Sequence, residues 1–171
     1  MTLQTLGYNL EGSYHKQAKA QLEATQNAIN AAPPDGLGTS YSIAYFAQKQ
    51  PLSFPSMRGW VYLPSELLKG RQRHGITVQM DLFTQAASSD LSEARRLITL
   101  IRDTWMVKMG FKQGRAGWYA LLDIKDYFAN PASPQTIGQG RLEMVSRSWV
   151  ERPDSQPLVI RQQADFKLIF I

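Results

Sequence analysis

Cysteine is absent from the 171-residue chain, and histidine occurs only twice. The first absence removes disulfides, thiolate nucleophiles, iron–sulfur clusters and every zinc site that needs sulfur. It fits a reducing cytoplasm, or an assembly built there. The second leaves a metal ion little to bind. His15 and His74 lie far apart, and neither sits in a spacing that presents two ligands on one helix or strand face. Both are expected to be solvated, His15 at the start of a helix and His74 at the mouth of a strand.

Long apolar runs are missing too. No window approaches the ~18 consecutive apolar residues of a membrane span, and Met1–Leu10 lacks the basic-then-apolar order of a secretion signal. No membrane association is therefore expected. Repeats of solenoid period, low-complexity tracts and breaks in composition are also lacking, so residues 1–171 read as a single domain. Catalytic motifs fare no better. There is no Gly-x-Ser-x-Gly, and the Ser88–Ser89 pair suits a turn before a helix. Gly36 and Gly38 follow a proline turn, and Gly138 and Gly140 precede a strand; a phosphate loop needs the opposite context. Asp123, Asp126 and Glu143 would make a magnesium cluster only if folding converged them. The expectation is no enzyme, no cofactor and no metal. The enzyme alternative requires a pocket that brings His74, Asp81 and Glu143 together.

What is present is enough apolar material for a core, 43% of residues, and a positive balance of nineteen Lys and Arg over fourteen Asp and Glu. The cations are scattered. The densest group, Lys69, Arg71, Arg73 and His74, alternates with neutral residues and lacks the run of cations typical of a nucleic-acid arm. A basic nucleic-acid-binding module stays as an alternative whose affinity should fall steeply with salt.

Ala18, Leu22, Thr25 and Ile29 recur at helical spacing and predict an amphipathic helix, Ser13–Ala32, stopped by Pro33–Pro34. Strands are predicted over Ser40–Ala47 and Gly59–Leu63. Ile76, Val78, Met80 and Leu82 alternate with more polar neighbours, the clearest strand in the chain. Leu91–Met109 reads as a helix whose face Leu97, Ile98, Ile101 and Trp105 is apolar. Asp90 is its expected cap, and Gly110 its left-handed terminator. Further strands are predicted over Trp118–Ile124, Arg141–Val150 and Leu158–Ile171. The last two should be antiparallel neighbours, with a bulge near Gln162–Ala164. The fold class is α+β, a mostly antiparallel sheet with two main helices packed on one face. Trp60, Tyr62 and Trp105 are expected in core or subunit-interface packing.

This order of elements resembles the tail terminator, or tail completion, proteins of long-tailed bacteriophages. The resemblance covers the first helix, the strand His74–Phe83, the helix Leu91–Met109, and the late strands Gly140–Met144 and Gln163–Ile171. It implies a non-catalytic virion protein, assembled in the host cytoplasm. Such a protein forms a homo-oligomeric, hexameric ring that caps the tail tube and joins it to neck or connector proteins. Another head-completion or neck protein is the nearest alternative.

On that reading the joining surfaces are the segments with turn residues and few core signals. These are an extended arm, Met1–Tyr14, and loops 48–57 and 129–138. The candidate interface residues are Leu3, Leu6, Tyr8, Leu52, Phe54, Arg71, Arg73, Arg95 and Arg96. The resemblance would set Arg71, Arg73, Arg95, Arg96 and Arg102 at inter-subunit ion pairs, or against DNA passing non-specifically through the ring. A plain solvated helix face is the default for Arg95 and Arg102.

Overall fold

Leu6, Leu10, Tyr14, Ala18, Leu22, Thr25 and Ile29 fall three or four apart, and all are buried. They form one stripe along a single helix, α1 (Leu3–Ala31), which begins at Thr2, whose hydroxyl accepts the Thr5 amide at 3.2 Å. This corrects the extended arm: residues 3–14 are the first turns of α1. The computed structural model describes residues 1–33, 41–46, 54–62, 75–85, 91–152 and 159–171.

The described residues also form seven strands: β1 (Ala44–Phe46), β2 (Ser56–Tyr62), β3 (Gly75–Gln85), β4 (Lys112–Gly114), β5 (Gly117–Lys125), β6 (Thr136–Arg152) and β7 (Val159–Phe170). The second helix, α2 (Ser92–Lys108), lies between β3 and β4. The strands form one sheet in the order β1-β2-β3-β7-β6-β5-β4. Among the described strand pairs, β1–β2 is parallel and the others are antiparallel. Residues 48–57 are therefore not all loop, because Ser56 and Met57 are buried in β2; likewise Thr136–Gly138, assigned to the late loop, begin β6. The expected bulge sits in β6, where the register slips between Met144 and Ser146, and not in β7.

Both helices cover one face. On it β3 presents Ile76, Val78, Met80 and Leu82, and β7 presents Ile160, Ala164, Phe166 and Leu168, all buried. Ile98, Ile101 and Trp105 of α2 complete this core. Trp105, Phe111 and Phe166 form a three-ring cluster with centroids 5.7–6.1 Å apart. The Trp105 indole N–H donates to the Ala18 carbonyl at 3.2 Å, which fastens α2 to α1. Each such large side chain contributes roughly 1.5–3 kcal/mol through burial.

α2 has Glu93 in its first turn and Lys108 in its last, each suited to the helix dipole. Its N-cap position is Leu91, without a side-chain cap bond, and Asp90 lies outside the described residues. At the other end Gly110 has φ +80°, the Phe111 amide reaches the Met106 carbonyl, and the Gly110 amide reaches Val107, each at 3.0 Å. This paired arrangement satisfies carbonyls that would otherwise be orphaned, and it needs a residue that tolerates positive φ.

Candidate functional site

The buried polar residues of α1 set one end of the molecule. Asn9 Oδ1 accepts the Tyr127 amide at 2.8 Å, and Asn9 Nδ2 donates to Asp126 Oδ1 at 3.1 Å. Ser13 Oγ accepts the Lys125 amide at 2.9 Å. Asp126 Oδ1 also takes the amides of Phe128 and Ala129. The Ala129 amide, opposed by partial desolvation and helped by Asn9 and the Phe128 amide, holds the Asp126 carboxyl below its ordinary value. The turn after β5 is thereby fixed, and it holds Phe128 outward at 68% exposure, edge-on to Tyr8 at 6.5 Å. Tyr8 and Phe128 make an exposed aromatic ridge.

A groove of about 470 Å³ lies at the other end of β5, lined by Arg102, Asp103, Met106, Val107, Phe111, Trp118, Met144 and Arg147. Met106, Val107, Phe111, Trp118 and Met144 are its apolar lining. Arg102 is buried: its guanidinium donates to Gln162 Oε1 at 3.0 Å and pairs with Asp103 at 2.6 Å. The solvated helix face expected for Arg102 is thus corrected. α2 turns this residue onto β7, where the buried Gln162 carbonyl needs a donor. Arg147 of β6, also in the lining, is exposed.

On the sheet face away from the helices, several of the described charged side chains are paired. Arg161 pairs with the buried Asp81 at 2.9 Å and also donates to Gln163 at 3.0 Å. Gln163 donates to Asp165 at 3.1 Å, and Ser146 to Asp165 at 2.6 Å. Arg141 pairs with Glu143 at 2.7 Å and lies over the Tyr119 ring at 4.2 Å.

Among the residues expected at an interface, Leu6 is corrected, since it is buried in the core beneath α1 and is not available to a partner. The side chain of Leu3 is not described, and Leu52, Arg71 and Arg73 lie outside the described residues. Tyr8 is exposed on the ridge, and Phe54 is half-buried before β2. Arg95 and Arg96 are exposed on α2, and Arg96 pairs with Glu93 at 3.0 Å.

His15 is also corrected: it is half-buried, not solvated. Its Nδ1 shares a short hydrogen bond with the Tyr45 hydroxyl of β1, and Glu11 lies 3.9 Å from Nε2. Burial pushes the His15 pKa down, against the pull of Glu11. Burial pushes Tyr45 up, helped by Glu11, and burial, helped by Tyr45, also raises the fully buried Tyr14. His74 lies outside the described residues, so the pocket with Asp81 and Glu143 has no described counterpart. Glu143 stands opposite Tyr119 in the ladder, four positions from Asp123, or roughly 13 Å along the strand. Asp126 is held by Asn9, and no group of three or more metal-ligating side chains occurs among the described residues.

Sequence reading missed the ridge residue Phe128 and the groove residues Val107, Trp118 and Met144. The one available signal was Ser146-Arg147-Ser148-Trp149, where large side chains alternate with serine on a predicted strand with mixed faces. A scan of protein-family models finds no match to the chain, and a search of curated proteins finds no similar sequence.

Proposed function

We propose that the chain is a structural virion-assembly protein, a ring-forming cap on a bacteriophage tail tube that joins the tube to the neck. The observation that carries this reading is the pair of unlike exposed surfaces at the two ends of β5: the Tyr8–Phe128 ridge and the Trp118 groove. They are separated by roughly 24 Å of strand. Both stand on regular elements and the tight turn that Asn9 and Asp126 hold, so their geometry is set before any partner arrives. A closed ring requires contacts between different patches of neighbouring copies, and a joining layer requires different surfaces for the proteins above and below it. One symmetric patch would give only a dimer. The paired charges on the outer face of the sheet favour assembly over nucleic-acid reading, because Arg141 and Arg161 already face carboxylates.

The test is electron microscopy of the purified chain, alone and with tail tubes. Closed rings seated on tube ends support the reading, and seating on DNA-filled heads in place of tubes points to the neck alternative. A monomer that leaves tubes uncapped overturns it.

A further inference from the structure

Strand β6 spans Thr136–Arg152, but β5 pairs only with Thr136–Glu143. Past the bulge at Val145, β6 keeps β7 on one side, and no described residue pairs with its other side. Val145, Ser146, Arg147, Ser148 and Trp149 are exposed in succession, Val145 at 67% and Trp149 at 41%. Over roughly 17 Å, alternate backbone N–H and C=O groups point outward with no strand partner among the described residues. Proline, an inward-facing lysine or a covering loop would normally blunt such an edge. Val145–Trp149 contains neither of those residues, and its exposure shows that no described residue covers it. The bulge ends the pairing with β5 but does not shield the half of β6 beyond it.

We propose that the free edge of β6 from Val145 to Trp149, with the adjoining groove, docks an extended acidic segment of a partner protein, which adds a strand to the sheet. The register sets its chemistry. Arg147 and Trp149 stand opposite Ala164 and Gln162 of β7 and so share the helix-side face with the groove, whereas Ser146 and Ser148 face the other way. Of the charged residues that line the groove, Arg102 and Asp103 hold each other, which leaves the exposed Arg147 as the cation that meets a partner's carboxylate. A docked strand therefore places acidic and apolar side chains on its groove side and small polar ones on its serine side. A polypeptide matches the edge better than a nucleic acid. Strand addition uses the unpaired backbone groups, while Asp165 and Glu143 on the serine side would repel phosphates. The proposal stands independently of the tail-capping reading.

The experiment uses the full chain and a capped synthetic octapeptide in which Thr alternates with Glu and Leu. Three comparison probes are a version with Lys for Glu, a version N-methylated at alternate residues, and an oligothymidine. Binding is followed by fluorescence anisotropy, and its location by amide hydrogen exchange. The acidic peptide should bind and slow exchange across Val145–Trp149. The Lys peptide, the N-methylated peptide and the Arg147→Glu variant should each weaken binding at least about tenfold. Trp149→Ala, a second exposed change, should weaken it with the circular dichroism unchanged. Absence of binding, equal binding of acidic and basic peptides, retained binding after N-methylation, protection elsewhere, or preference for oligothymidine would each overturn the proposal.

Discussion

Asn9 in α1 accepts the backbone amide of Tyr127 at 2.8 Å, joining the first helix to the turn after β5. Both groups are buried, so deleting the Asn9 side chain leaves the amide only its longer, 3.2 Å bond to the Lys125 carbonyl and removes the Asn9 bond to Asp126. Asn9→Ala should destabilise the fold by about 1–3 kcal/mol. Denaturant unfolding measures the loss, and faster amide exchange at Tyr127 and Phe128 should locate it.

Removal of Met1–Gly12 should prevent stable folding. Leu6 and Leu10 are buried, each contributing roughly 1.5–3 kcal/mol, and the bonds of Asn9 go with them. Their sum is a large part of the ~5–15 kcal/mol that stabilises an ordinary domain. A truncated chain with the parent's cooperative thermal transition would show that the N-terminal turns of α1 are dispensable.

Ile101→Asp should cost roughly 3–5 kcal/mol, through the lost side chain and a buried, unpaired carboxylate. Ile101 lies on the α2 face that covers β3 and β7 and is almost wholly buried. Its melting temperature should fall well below that of Arg96→Ala, an exposed change on the same helix.

Stability should decline as pH drops below about 6.5, the ordinary histidine value, until the lower folded-state pKa of His15 is passed. Burial favours the neutral ring, so the unfolded chain binds the proton more tightly and acid favours unfolding. Glu11 moderates the effect. His15→Gln should flatten this part of the profile. At the alkaline end Tyr14 and Tyr45 have raised values, so the stability they confer is complete below pH 10 and is lost as pH rises through those values. Tyrosinate absorbance followed against pH should show Tyr14 and Tyr45 among the late-ionising groups, together with Tyr127, which burial also raises.

Phe128→Asp combined with Tyr8→Asp should leave the folding stability within about 1 kcal/mol of the parent's, since both side chains are exposed. The same protein should lose any assembly that uses the ridge. Sedimentation measures this, and an unchanged assembly state would remove the ridge from the interface.

Alternation at Ile76–Leu82 was enough to identify β3, and the spacing of Leu97, Ile98, Ile101 and Trp105 was enough to identify α2, because each pattern comes from one face of one element meeting the core. The helix-closing role of Gly110 was legible for a similar local reason, a backbone angle that glycine tolerates. The first turns of α1 were not legible. Asn9, Ser13 and Gly12 interrupt the apolar stripe, yet the polar pair satisfies backbone amides of the β5–β6 turn, and a Cβ at Gly12 would lie 3.0 Å from the Tyr127 ring. Only the fold supplies those partners. The same holds for Arg102, whose buried position depends on Gln162 sixty residues away, and for the free half of β6, which exists because β5 stops pairing at Glu143. The sequence by itself determined which faces are apolar and where elements can end, since these depend on side-chain periodicity and local backbone freedom. The tertiary structure decided which polar groups are buried and which apolar ones stay exposed, since both depend on neighbours that the chain meets only after it has folded.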